Sequence, residues 1–326
     1  MQLQKPGGEK MVTGKPNLEV FAETLLRLAQ AQDDILVVTG DSRGSGKLGP
    51  FGKALPDQIV EVGIAEQALV GISAGLASAG KKVFAVSPAC FLTARALEQI
   101  KNDVAYSDNP VKLIGISAGV SYGALGSTHH SLHDLAALQA INNIDIVVPA
   151  DNFETREVIQ AAVSYKKPIY IRFGKKPMLH LHNADTKFEI GKAIPLLDGE
   201  DVIFLAIGEP TSRTILASQL LAEQGIAAGV ISMHTLKPLD ETAVLTAARR
   251  AKAIITVEEH SVYGGLGSTV ASLLMDRGVY VPFKAVAFPD EYTVTGSQDE
   301  IFAHYGITPE GLAGTARKLL QGVAVT

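Results

Sequence analysis

The chain has 326 residues, of which 47% are hydrophobic and 19% are charged, and its formal net charge is −5. A chain of this length exceeds what one hydrophobic core usually supports, so we expect two globular domains. The slight excess of acidic groups provides no basic surface for nucleic acid or an anionic membrane, which leaves proteins and small molecules as the expected partners. The single cysteine, Cys90, excludes an intrachain disulfide and is typical of a reducing compartment.

The start of the chain predicts little regular structure before the first helix. Residues 1–16 lack the apolar core of a secretory signal, so we expect a flexible leader and a cytoplasmic protein. No apolar run elsewhere is long enough to predict a membrane span. Asn17 then offers a helix cap, and apolar residues recur at helical spacing from Leu18 to Ala29.

Strands and helices alternate from residue 17 to residue 178. The predicted strands are "ILVVTG", "KVFAVSP", "VKLIGIS", "DIVVPA" and "PIYIRF". Their continuous apolar character predicts a doubly wound parallel sheet that helices cover on both faces. Functional side chains of such sheets gather where the strands end, so Asp41, Phe91, the loop 118–131 and Lys175 should share one rim.

A segment rich in Lys, Pro, His and Asn interrupts this rhythm, and residues 179–190 are the predicted linker. A second, shorter alternation of strands and helices follows over residues 191–326 and predicts a smaller α/β domain. The turn "YGGLGS" within it does not match a nucleotide-binding fingerprint. A tight turn that needs positive φ angles is the favoured interpretation.

Glu66 is the most unusual residue of the first half, because it opens the almost wholly apolar run "ALVGISAGLASAG". Such a helix is expected to be buried, so an acid at its start needs a partner or a chemical role. A purely structural role stays open, since a carboxylate at a helix N-terminus stabilises the helix by roughly 0.3–1 kcal/mol.

Three histidines, His129, His130 and His133, lie in a polar loop near the predicted rim. They have no accompanying acidic or cysteine ligands, so we expect no metal site here. Histidines in such a loop suit proton transfer or the recognition of hydroxyl groups. Asp41, which follows the first strand, is equally well explained as a turn residue.

The ordered set of these segments resembles one enzyme family. The stretch from "EVGIAEQ" to "NDVAY" resembles the pyrimidine-binding domain of the thiamine-diphosphate enzymes of the transketolase and 1-deoxyxylulose-5-phosphate synthase group, and "GALGSTHHSLHDLAAL" and "IRFGKKP" continue the likeness. "HTLKPLD" and "TVEEHSVYGGLGS" are similar to the same group's C-terminal domain. The resemblance implies two three-layer α/β/α domains, at residues 17–178 and 191–326, the second with a smaller mixed sheet.

The family's diphosphate-binding motif, Gly-Asp-Gly followed by Asn-Asn, does not occur in this sequence. The resemblance therefore implies the C-terminal subunit of a split transketolase, which transfers a two-carbon ketol unit between sugars. It implies thiamine diphosphate as cofactor, Mg²⁺ bound mainly by a separate diphosphate-binding subunit, and an α2β2 assembly that acts on sugar phosphates.

The resemblance also assigns roles to individual residues. Glu66 matches the glutamate that hydrogen-bonds N1′ of the cofactor's aminopyrimidine, Phe91 matches the aromatic residue that packs on that ring, and Ile64 is assigned to cofactor binding with them. His129 matches a histidine that contacts the donor sugar and relays protons. The remaining positions assigned to the substrate are Asp41, Ser45, Lys175 and Arg172.

The sequence departs from the family at the substrate end. Leu125, Ala94 and Ser117 stand where an aspartate, a second aromatic residue and a histidine are usual, which predicts an unusual sugar, for instance apulose 4-phosphate. Three alternatives stay open: a subunit like 1-deoxyxylulose-5-phosphate synthase, the β subunit of a 2-oxo acid dehydrogenase, and a scaffold subunit without catalytic activity.

Overall fold

The computed structural model describes residues 12–183 and 185–322. The strands of this part of the chain are β1 (Thr13–Pro16), β2 (Ile35–Thr39), β3 (Ile59–Glu61), β4 (Lys82–Pro88), β5 (Lys112–Ile116), β6 (Asp145–Val147), β7 (Ile169–Phe173), β8 (Pro177–Leu179), β9 (Ile194–Leu197), β10 (Val202–Ala206), β11 (Ala228–Ser232), β12 (Thr235–Lys237), β13 (Ala253–Ser261) and β14 (Phe283–Phe288). The α-helices are α1 (Asn17–Ala29), α2 (Gly49–Ala54), α3 (Glu66–Ser78), α4 (Ala89–Arg95), α5 (Leu97–Gln99), α6 (Asp134–Gln139), α7 (Asn152–Ser164), α8 (Thr211–Ala222), α9 (Glu241–Arg250), α10 (Leu266–Asp276), α11 (Gln298–His304) and α12 (Pro309–Leu320). None of the helices in these ranges is both long and apolar enough to cross a membrane.

The larger sheet has seven strands in the order β12-β6-β7-β5-β4-β2-β3. Neighbouring strands are parallel except β12 and β6. Helices α1 and α7 cover one face of this sheet and α3 covers the other, which is why its central strands are apolar on both sides. The doubly wound parallel sheet predicted from the alternation is confirmed.

The smaller sheet has five strands in the order β14-β13-β10-β11-β9, and β9 is its antiparallel member. Helices α8 and α12 cover its outer face. Helices α9 and α10 pack on the inner face, and their apolar residues belong to the same core cluster as α3 of the first half. The second domain is therefore the smaller mixed α/β layer structure that was predicted, and it shares a continuous core with the first.

Two short strands differ from the predicted domain organisation. Strand β12 lies in the second half of the sequence but extends the first sheet, where Thr235 is paired with Val147. Strand β1 lies within the predicted flexible leader but pairs with β8, next to the predicted linker. Residues 1–11 of the leader lie outside the described residues, and the division of the chain at residues 179–190 stays a prediction.

Two helix predictions were wrong in detail. Asn17 does not cap α1, because its backbone is already helical and its side chain turns inward to accept a hydrogen bond of 2.9 Å from Asn152 Nδ2. The stretch "FLTARALEQIKNDVAY", for which the alternation predicts one helix, breaks at Ala96 into α4 and α5 and continues as a π-helix over Ile100–Tyr106. π-Helical turns are frequent near functional sites.

A buried ion pair joins the two halves beneath the rim of the first sheet. Arg172 Nη1 lies 2.7 Å from Asp134 Oδ1, and Arg172 Nη2 donates to the backbone oxygen of Glu259 at 2.6 Å. Tyr170 also donates to Asp134, at 2.7 Å. Burial alone would raise the pKa of Asp134, but Arg172 and His260 hold it below its usual value. The carboxylate is therefore fully paired, as a buried charge requires.

A second buried cluster ties the segment after β8 to both sheets. His182 Nδ1 lies 2.9 Å from Asp151, and its Nε2 lies 3.1 Å from Glu154. Asp151 caps α7, and Glu154 accepts a hydrogen bond of 2.6 Å from Ser232 of β11. Burial opposes protonation of His182, but the bonds to the two carboxylates raise its pKa to about 9.

We predict that this histidine makes stability depend on pH in the alkaline range. Because its folded pKa of about 9 exceeds the ordinary value of about 6.5, its contribution is complete below pH 6.5 and is lost as the pH rises through 9. Urea unfolding of the wild type should show a loss of stability between about pH 6.5 and 9, and His182→Gln should make it smaller, although buried Glu209 and Glu258 with raised pKa values contribute to it as well. His304→Gln, at an exposed position of α11, is the control. Equal pH slopes in wild type and His182→Gln would contradict the assignment.

Candidate functional site

The carboxyl ends of β2, β3, β4, β5 and β7 form one rim of the larger sheet, and the predicted site residues follow these strands. The loop after β2 can approach the turn before α3 closely only because residue 40 is a glycine, since a Cβ atom at Gly40 would lie 2.5 Å from the carbonyl oxygen of Gly63. Gly63 itself has a φ of 69°, which lets the chain turn sharply into α3. The turn places Glu66 at the first position of that helix.

Glu66 is a nearly buried carboxylate with one arginine partner. Its side chain is 5% exposed, and its two oxygens accept hydrogen bonds of 3.0 and 3.1 Å from Arg95 Nη1. Among the described residues, Arg95 is the side chain that hydrogen-bonds Glu66. The same guanidinium group lies over Phe91, with its carbon 4.4 Å from the ring centre. A carboxylate, a cation and an aromatic face therefore meet at the start of α3.

A row of rings continues from this cluster along the rim. The His129 ring lies 5.4 Å from Phe91 and 5.4 Å from Tyr122, and it meets both rings edge-on. Thr128 Oγ1 lies 2.9 Å from His129 Nδ1, which orients the imidazole. At the far end, Lys175 Nζ lies 3.8 Å from the centre of the Tyr122 ring. The structure therefore brings together Glu66, Phe91, His129 and Lys175 in one chain of contacts.

The end of the rim near Lys175 is basic. Burial lowers the pKa of Lys175, and the positive charge of Lys47 in the loop after β2 lowers it further. Lys47 is paired with Glu19 at 3.4 Å, whereas the ammonium group of Lys175 lies over the Tyr122 ring, so Lys175 is the cation that can take an anionic ligand here. A phosphate group is the common biological anion of this kind that lysine binds.

The loop after β2 carries two further predicted residues. Asp41 is exposed and has a φ of 50°, and its backbone nitrogen donates to Glu61 Oε1 at 2.6 Å. Ser45 donates to the backbone oxygen of Ser42 at 3.2 Å. Glu61 also pairs with Arg43, at 3.3 Å. The loop is thus held by Glu61, and the carboxylate of Asp41 is directed to solvent, where a ligand can reach it.

The residues around the start of α3 are more exposed than predicted. Ile64, assigned to cofactor binding, is 73% exposed. The helix itself was expected to be buried, but Ala68, Ile72 and Gly75 form an exposed apolar face. The face lies on the side of the helix opposite to Glu66, which points inward with Leu69, Val70 and Ser73, and an exposed apolar face of this kind can contact another protein.

Arg172 is not placed at the open rim. Its side chain is 3% exposed, and its donors are used by Asp134, by the backbone of Glu259 and by the backbone of Ser131. Since this guanidinium group is buried and bound to groups of both halves, it is not presented to a phosphate at the open rim, and we assign Arg172 to the joint between the two sheets. Its predicted role in substrate binding is corrected on this ground.

The other two histidines of the polar loop have partners within the fold, and Thr93 Oγ1 lies 3.4 Å from His133 Nε2. His130 is buried between Thr293 Oγ1, 2.7 Å away, and the backbone oxygen of Gly123, 2.9 Å away. Burial lowers the pKa of His130, so this imidazole is neutral near pH 7. Within residues 12–183 and 185–322, no group of three or more His, Cys, Asp and Glu side chains is arranged to hold a metal ion.

Two residues of the site were missed from the sequence, Arg95 and Tyr122. Arg95 follows Phe91 by four positions, and a cation and an aromatic ring at this spacing lie on the same side of a helix, so the pair was detectable. Its contact with Glu66 spans 29 positions and has no local signal. Tyr122 lies in an irregular loop where side-chain direction does not follow from a periodic pattern.

Comparison with known proteins gives two family matches. Residues 16–178 match the model of the transketolase pyrimidine-binding domain, and residues 191–312 match that of the transketolase C-terminal domain. The two models together cover most of the chain in the order in which the two sheets occur.

Individual proteins agree with these matches. One subunit of the apulose-4-phosphate transketolase of Phocaeicola vulgatus is 49% identical, over 92% of this chain and 96% of the relative. The 1-deoxy-D-xylulose-5-phosphate synthase of Syntrophotalea carbinolica is 33% identical over 97% of this chain, but the match covers 49% of the synthase. A solved structure described as a split gene transketolase in an inactive beta4 tetramer has a TM-score of 0.84 and 34% identity, over 94% of this chain and 99% of its own. The chain therefore belongs to the transketolase family.

Proposed function

We propose that the chain is the pyrimidine-binding subunit of a cytoplasmic two-subunit transketolase that uses thiamine diphosphate to move a two-carbon ketol unit from a ketose phosphate to an aldose. The observation that carries this proposal is the nearly buried carboxylate of Glu66 beside the half-buried ring of Phe91. These two groups match the two features of an aminopyrimidine, a ring nitrogen and a flat aromatic face.

The residues at the start of α3 fit the pyrimidine end of the cofactor. Glu66 would hold the ring nitrogen, and Phe91 would pack on the ring, while Ile64 lies in the adjoining turn. When bound, thiamine diphosphate supplies an electron sink for breaking and forming the carbon–carbon bond. The protein then has to orient the cofactor and to hold the proton that Glu66 shares with the pyrimidine ring.

Glu66 is suited to that control because it is almost excluded from water. A carboxylate in such a place shares a proton with a bound partner instead of with solvent. His129, held by Thr128 and by two aromatic rings, lies further along the rim and can exchange a proton with a sugar hydroxyl. These roles make Glu66 and His129 the proposed catalytic residues.

The substrate would lie along the rim beyond His129. We propose that Lys175 binds the phosphate of the sugar and that Asp41 and Ser45 contact its hydroxyl groups. Leu125, which is 54% exposed, takes the place of the acidic residue that is usual in the family. The relative from Phocaeicola vulgatus supports apulose 4-phosphate as the sugar class.

The diphosphate and Mg²⁺ are proposed to lie on a separate N-terminal subunit. That subunit would contact the exposed apolar face of α3 and the exposed turn at Ile64, and so close the cofactor site from the solvent side. Two copies of each chain would satisfy the two-fold symmetry that most oligomers show. The similar split gene transketolase, described as inactive in its beta4 form, supports a requirement for the second subunit.

The first prediction concerns the proton-sharing carboxylate. In the assembled enzyme, Glu66→Gln should lower the turnover number of ketol transfer by about 10²–10⁴-fold, because an amide cannot take up the proton. The affinity for thiamine diphosphate should change much less, and Glu223→Gln at an exposed position just after α8 should change neither quantity. An unchanged turnover in Glu66→Gln would exclude this role.

Consumption of pyruvate with release of carbon dioxide would instead indicate synthase or dehydrogenase chemistry.

The second prediction concerns assembly. The purified chain alone should show no ketol transfer, and activity should rise with added diphosphate-binding subunit until the two chains are equimolar. Size-exclusion chromatography with light scattering should then show a complex with two copies of each. If the chain alone is fully active, or if no complex forms with any candidate subunit, the two-subunit proposal is wrong.

The third prediction concerns phosphate recognition. Lys175→Met should raise the KM for a phosphorylated sugar by about tenfold or more, since a charged hydrogen bond to phosphate is lost. The kcat/KM for the same sugar without phosphate should change little. Lys176→Met is the matched control, because this neighbouring lysine pairs with Asp299 on α11. Equal effects on both sugars would show that Lys175 does not bind the phosphate.

A further inference from the structure

We infer that Arg95 is a placeholder for the cofactor: its guanidinium group occupies the two contacts that the aminopyrimidine would use, and it has to move away before the cofactor can bind. This inference rests on the proposed function, because it takes Glu66 and Phe91 as the pyrimidine site. It adds a residue that controls access to the site and that has no part in the proposed chemistry.

The overlap of the two binding modes follows from the observed contacts. Arg95 Nη1 donates to both oxygens of Glu66, at 3.0 and 3.1 Å, and the guanidinium carbon lies 4.4 Å from the centre of the Phe91 ring. A guanidinium group is flat, rich in nitrogen, and able to donate hydrogen bonds and stack at once. An aminopyrimidine has the same properties, so it would compete for the same carboxylate and the same aromatic face.

The two partners of the pair differ in exposure, which decides which of them moves. The side chain of Arg95 is 49% exposed, whereas that of Glu66 is 5% exposed. Arg95 is also the last residue of the seven-residue helix α4, and the chain leaves the helical conformation at Ala96. The arginine can therefore turn into solvent, where it is readily hydrated, while Glu66 stays in place.

The pair also explains how a nearly buried carboxylate is tolerated before the cofactor arrives. A buried charge without a partner is strongly unfavourable, and Arg95 provides the partner. Because the side chain of Arg95 is half exposed, its ion pair with Glu66 and its contact with Phe91 are weak enough for the cofactor to displace it. The apparent affinity for the cofactor is then lowered by the fraction of molecules in which Arg95 covers the site.

The test compares cofactor binding to the assembled two-subunit enzyme by isothermal titration calorimetry with thiamine diphosphate and Mg²⁺. Arg95→Met keeps an unbranched apolar stem but removes the charge and the donors, so it should lower the apparent Kd by about three- to tenfold. Arg277→Met is the matched control, because Arg277 is also 49% exposed and pairs at 2.7 Å with Glu241, the first residue of α9 in the second domain. It should leave the Kd unchanged.

A second comparison distinguishes competition between Arg95 and the cofactor from a purely structural role of Arg95. In a Glu66→Gln background the pair is already weakened, so Arg95→Met should no longer tighten binding. If Arg95→Met fails to assemble, Arg95→Gln replaces it with the same expectation. An unchanged or a higher Kd in an assembled Arg95 variant would overturn the inference and leave the proposed function intact. A wild-type complex that does not bind the cofactor at all would overturn the proposed function itself.

Discussion

The carboxylate of Glu66 is held almost out of water at the first turn of a helix, and the functional account depends on how that charge is balanced. An ionised group in this position needs a partner in every state of the protein. In this structure the partner is the guanidinium group of Arg95, and in the working enzyme we propose that it is the pyrimidine of the cofactor. At the start of α3, the guanidinium group of Arg95 and the pyrimidine of the cofactor would thus bind the same Glu66 carboxylate in turn.

The rest of the fold serves to fix that acid and the residues near it. The larger sheet brings the ends of its parallel strands to one rim, and the rim holds Phe91, His129 and Lys175 in a line of contacts. Beneath the rim, the hydrogen bond from Arg172 to the backbone of Glu259 and the shared core cluster join the two halves. The site is therefore supported by both sheets, although its chemical groups come from the first.

Much of this organisation could be predicted from the sequence, because parallel sheets covered on both faces leave continuous apolar strands. The strand ends then indicated Asp41, Phe91 and Lys175 as neighbours. What escaped prediction depends on contacts between distant positions. Arg172 has its carboxylate partner 38 positions away, so its burial could not be foreseen. Strand β12 has three residues and crosses to the sheet of the other half, and no local pattern indicates such a pairing.

A crystal structure of the assembled two-subunit complex with thiamine diphosphate and Mg²⁺ is the most direct test of the proposed cofactor site. We expect the Glu66 carboxylate within hydrogen-bonding distance of the pyrimidine nitrogen, the pyrimidine ring packed on Phe91, and the guanidinium group of Arg95 turned away into solvent. A complex in which the cofactor is bound while Glu66 is still paired with Arg95, and the pyrimidine lies elsewhere, would contradict the central claim.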